Sequence, residues 1–132
     1  MAILDSQPKY DCTIQINLFK KRDRTFRMTI QNEDVGDITG SSLWMSVKEQ
    51  MGDEDSESVI IKRNTEAGGS DSEAKVIDGE NRIVEFYIVP SDTEDLSPGE
   101  YFADAVIMLP SGRKFQLADP FLFSLKQPIT LT

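Results

Sequence analysis

Apolar residues recur at every second position through most of this 132-residue chain. Cys12, Ile14, Ile16 and Leu18 alternate with Thr13, Gln15 and Asn17, and Phe26, Met28 and Ile30 with Arg27 and Thr29. Leu43, Met45 and Val47 alternate with Trp44, Ser46 and Lys48. A period of two puts successive side chains on opposite sides of an extended chain, so one face of each segment can enter a core. Residues 59–62 form a short β-branched run. Residues 82–89 are apolar on both faces, with Val84, Phe86 and Ile88 on one and Ile83, Tyr87 and Val89 on the other, as in a central or covered strand. Tyr101, Ala103, Ala105, Ile107 and Leu109 make a further face; Phe115 and Leu117 follow, then Phe121, Phe123 and Leu125. No window carries a helical stripe of three turns, although residues 92–96 can form one turn capped by Ser91 or Asp92.

The breaks between these runs carry turn chemistry. Pro110-Ser111-Gly112 suits a hairpin, Asp78-Gly79 a tight turn, and residues 37–40 a closing loop. Eight or nine short strands spaced by such turns predict an all-β fold, a sandwich or barrel of about eight antiparallel strands. Two stretches, 49–57 and 64–73, are acidic or rich in Gly and Ser and read as long, exposed, mobile loops. They flank residues 59–62, which places that strand at an edge. The chain is long enough for one core and reads as one domain over 12–126, with an arm at 1–11 and a tail at 127–132.

Composition excludes most chemistry. There is no histidine, which removes the common general base, the common metal ligand and every Ser-His or Cys-His pair. No Gly-rich phosphate loop is present. Asp53-Glu54-Asp55 and residues 92–95 offer hard oxygens for calcium, without the spacing or glycine of an EF-hand. The expectation is a non-enzymatic protein with no cofactor and no small-molecule substrate. A net charge of −9 argues against nucleic acid and against anionic lipid. The single cysteine, Cys12, allows no intrachain disulfide and reads as a small buried hydrophobe. No signal-peptide pattern occupies residues 1–10 and no run is long enough for an apolar membrane span, so a cytoplasmic site of synthesis is expected.

Candidate contact residues come from charge and from the ends. Lys20, Lys21, Arg22, Arg24 and Arg27 cluster around a single Asp23, while residues 41–132 are strongly acidic. A basic turn on an acidic chain can meet an acidic loop of a neighbouring copy, or simply guard a hairpin against edge pairing. Ile3 and Leu4 precede Pro8, and Ile129 and Leu131 follow Pro128; apolar residues on arms either fold back or dock on a partner. Trp44, and more weakly Phe102, could serve a carbohydrate platform.

One segment is more specific. In Leu96-Ser97-Pro98-Gly99-Glu100-Tyr101, Pro98 and Gly99 turn the chain and Tyr101 starts a strand. Leu96, Pro98, Gly99 and Tyr101 are the expected elements of a tyrosine corner, in which the phenol bonds back to the loop before it. The order of motifs runs from Arg22-Asp23-Arg24-Thr25-Phe26 through Asp37-Ile38-Thr39-Gly40, the strand 83–89 and the segment 91–101, to Phe121–Leu125 with its F-x-F-S-L pattern. It resembles the N-terminal domain of phage baseplate upper proteins and related tail or virion proteins. The resemblance implies an immunoglobulin-like sandwich in a bacteriophage virion, assembled in the host cytoplasm. Its expected place is the tail, baseplate or neck, with capsid decoration as the rival. Its partners would be other virion proteins and copies of itself. The acidic stretches depart from compact versions of that domain, and no receptor-binding or trimerising region follows, which favours a connector role.

Overall fold

A computed structural model of the chain describes residues 15–31 and 33–129, apart from the side chains of Gln15, Ala118 and Asp119. Eight strands lie among them: β1 (Gln15–Phe19), β2 (Arg24–Thr29), β3 (Ser42–Lys48), β4 (Ile60–Arg63), β5 (Ala74–Asp78), β6 (Ile83–Ile88), β7 (Gly99–Met108) and β8 (Lys114–Lys126). One sheet has the order β1-β8-β7-β3-β4 and the other β2-β6-β5. The two pack face to face in a sandwich-like arrangement, and the alternating apolar positions fill the space between them. Leu43, Met45, Val47, Ala105 and Ile107 from the first sheet and Val84 and Phe86 from the second are wholly buried. Phe26 meets Phe123 edge-on across the gap, with ring centroids 5.5 Å apart.

Three features differ from the sequence expectation. The strands are not all antiparallel: β1 runs parallel to β8. This pairing sets Ile16 beside Phe123 and Leu18 beside Leu125, so the apolar alternation of both strands faces the core. Residues 114–126, read as two runs, form one strand. Pro120 lies inside this strand, where the β7 register shifts between Ala103 and Ala105 and a missing amide is tolerated. Finally, β5 was missed, since its five residues bury only Ala74 fully and are otherwise partly exposed.

The acidic stretches are tied to the sheet by specific bonds. Asn64 is buried, and its side chain accepts from the Leu43 and Ala67 amides and donates to the Ser41 carbonyl. Lys48 donates to the Asp53 carbonyl and to the Asp55 carboxylate at 2.8 Å, folding the other stretch onto β3. The short strand β4 between them is an edge of the five-stranded sheet.

A short helix, α1 (Pro90–Thr93), follows β6 and starts earlier than the turn read at 92–96. Asp92 accepts from the Val89 amide, capping it. The β1–β2 turn joins the two sheets at this end, while Ile38 seals the opposite end, its amide bonded to the Gly79 carbonyl at 3.0 Å.

Candidate protein-contact face

The members of the basic cluster meet different partners. Period two along β2 sends Phe26 inward and Arg27 outward, and Arg27 pairs with Glu85 of β6 at 2.7 Å. Arg24 donates to the Asn17 carbonyl and stands over the Phe26 ring. Lys20 and Lys21 sit in the β1–β2 turn, where their amides bond to the Lys126 carbonyl and the Thr93 hydroxyl. Arg22 donates to the Lys21 carbonyl. The turn is therefore a braced junction between sheets, with Lys21 held at φ 61°. Of the end residues, Ile129 is fully exposed, whereas Ile3, Leu4 and Leu131 lie outside the described residues, as does Cys12.

The predicted corner residues come together. The Tyr101 hydroxyl donates to the Ser97 carbonyl at 2.6 Å, and Leu96 packs against the core. Burial pushes the Tyr101 phenol above its ordinary pKa. Pro98 and Gly99 are exposed where the chain turns into β7.

Outside the core, the outer faces of the two sheets differ. The three-stranded sheet turns mainly polar and charged groups outward, with Ile77 of β5 also 38% exposed. Glu85 accepts from the Tyr87 hydroxyl at 2.7 Å and from Arg27 at 2.8 Å. Those two bonds, the first the larger influence, hold the Glu85 carboxyl below the usual range. Burial, then the bond to Glu85, pushes Tyr87 up to about 12.

The five-stranded sheet instead turns apolar groups outward. Trp44, Phe102, Val106, Met108 and Leu122 occupy the positions that alternate with core residues on β3, β7 and β8, and they are only partly covered. Ile61 on β4 is 45% exposed and Phe19 on β1 is 46% exposed, also facing outward. A shallow hollow on this face is lined by Lys48, Met51, Phe102, Asp104 and Pro120. Charged groups share this face: Arg63 on β4, Lys48 on β3, Lys114 and Lys126 on β8, and Glu100 and Asp104 on β7, of which Asp104 accepts from Gln116 at 2.8 Å.

Sequence reasoning singled out Trp44 and Phe102 but missed Ile61, Val106, Met108 and Leu122. The signal was available in residues 101–109, which carry apolar side chains on both faces just as residues 82–89 do. Trp44 and Phe102 lie in different cross-strand rows, Trp44 opposite Val106 and Phe102 opposite Lys48. They do not stack into one sugar platform. Among the described residues, no group of three or more His, Cys, Asp or Glu side chains is placed to hold a metal ion.

In comparisons with known proteins, no family model and no curated protein matches the chain.

Proposed function

We propose that this chain is an immunoglobulin-like module that works by protein–protein contact, as a non-enzymatic structural component of a bacteriophage particle. The observation that carries the contact role is the apolar outer face of the five-stranded sheet. A sheet face that turns Trp44, Ile61, Phe102, Val106, Met108 and Leu122 outward, between polar and charged groups, presents the apolar area that an interaction site uses. Aromatic and methionine side chains are also the ones enriched at protein interfaces.

Strand order supports the immunoglobulin-like reading. Sheets β2-β6-β5 and β8-β7-β3-β4 correspond to the B, E, D and G, F, C, C′ strands of such domains. The bond from Tyr101 to Ser97, at the loop entering β7, is the tyrosine corner expected at the start of strand F. Two hallmarks of antibody domains are replaced. Ala103 stands where the second bridging cysteine would follow that Tyr, and Trp44 points out of the core.

The phage assignment rests on the ordered motifs from residue 22 to residue 125. A tail, baseplate or neck position is favoured over capsid decoration, and copy number separates the two: hundreds per particle mean the capsid, a few or a dozen the tail or neck. Mass spectrometry of purified particles is the test. Finding the chain at a defined copy number supports the proposal, and its absence from particles of a phage that encodes it overturns it.

A further inference from the structure

The face just described carries charges of both signs in a self-complementary layout. Arg63 on β4 lies opposite Trp44 of β3, which lies opposite Val106 of β7. In the adjacent outward-facing row, Ile61 lies opposite Ser46, which lies opposite Asp104. Arg63 and Asp104 are thus diagonal across β3, roughly 12 Å apart given strand spacings near 4.8 Å and a two-residue repeat near 7 Å. The Arg63 side chain is exposed and makes no hydrogen bond or ion pair among the described residues. Asp104 bonds only to neutral Gln116 among the contacts described.

We propose that this face binds the same face of a second copy, in a two-fold dimer where Arg63 of each protomer meets Asp104 of the other. A two-fold contact needs one patch that complements itself. An axis lying in the interface and bisecting the line from Arg63 to Asp104 brings both pairs together at once. The same axis passes beside Trp44, so the two indoles and the Val106 and Ile61 side chains close the centre. Charge favours this occupant. Two chains that each carry −9 repel one another over most of their surface, and Arg63 of each meeting Asp104 of the other offsets that repulsion at this face. The inference rests on reading the face as a contact surface, and it names the partner.

Sedimentation velocity of the full chain from roughly 1 µM to 1 mM, with tryptophan fluorescence on the same samples, tests it. The chain has one tryptophan, so emission reports on Trp44 alone. The expected result is a monomer–dimer equilibrium with a blue shift as dimer forms. Arg63→Asp and Asp104→Arg should each weaken the dimer by about tenfold or more. The double reversal should restore it to within about threefold of the original, which also controls for misfolding. A chain that stays monomeric throughout overturns the proposal, as does a dimer indifferent to both reversals with unmoved Trp44 emission. A monomer found in phage particles would overturn self-association and leave the particle role standing; a dimer absent from particles would do the reverse.

Discussion

The Lys62 ammonium lies 2.6 Å from the Asp92 carboxylate, and the Lys62 side chain is only 5% exposed. Lys62 occupies an inward position on edge strand β4, between buried Ile60 and the Asn64 loop anchor. Asp92 comes from α1, which follows the central strand of the other sheet. The pair therefore ties an edge of the five-stranded sheet to the helix that follows β6, and the same carboxylate oxygen caps α1 through the Val89 amide. Removing one partner of a buried pair leaves an uncompensated charge, which costs about 3–5 kcal/mol. Asp92→Ala strands the more buried member and also loses the cap, so it should be more damaging than Lys62→Ala. Chemical denaturation of both variants checks the order.

That pair shows what the alternation could and could not reveal. The inward positions of β3, β6 and β7 were legible because one face of each strand is uniformly apolar. Lys62 also falls on an inward position of its run, but its partner lies thirty residues away on a turn whose path depends on the whole sandwich. The parallel pairing of β1 was invisible for a similar reason, since alternation fixes which side faces in and is silent on strand direction. Asn64 was read as part of a mobile loop because a polar residue among Gly and Ser carries no sign of three backbone partners.

Tyr101→Phe removes the bond to the Ser97 carbonyl while keeping the ring in the core. The expected loss is about 0.5–1.5 kcal/mol, the net worth of one hydrogen bond. Equilibrium unfolding should show this shift with an unchanged denaturant slope.

Gly69 passes so close to β4 that an added Cβ would fall 2.0 Å from the Arg63 carbonyl oxygen. That neighbour is backbone inside a strand and cannot swing aside. Gly69→Ala should cost about 1–3 kcal/mol through forced backbone displacement. Gly52→Ala, where a Cβ meets nothing, serves as the control and should unfold at nearly the original temperature.

The Tyr87–Glu85 bond makes stability depend on pH at both extremes. Glu85 titrates below its ordinary range, so its contribution is present above that range and lost as pH falls through the depressed value. Tyr87 titrates at about 12, so its contribution is present below the ordinary tyrosine value and lost as pH climbs through the raised one. Tyr87→Phe should flatten both limbs of the stability–pH curve. Tyrosinate absorbance should lose the component titrating at about 12.

Core and contact face should respond oppositely to truncation. Leu43→Ala, at a wholly buried site, should destabilise by about 2–5 kcal/mol. Ile61→Ser and Met51→Ser, at outward-facing sites near half exposure, should change stability by no more than about 0.5 kcal/mol. If the outer face serves partners, those two substitutions should still impair association or incorporation into particles.

Amine cross-linking of intact particles, read by mass spectrometry, tests the contact role most directly. Lys114 and Lys126 project from β8 on the outer side of the five-stranded sheet, whereas Lys75 lies on β5 of the opposite sheet. The predicted result is intermolecular cross-links from Lys114 and Lys126. A chain missing from particles, or cross-linked to its neighbours through Lys75 alone, would contradict the account.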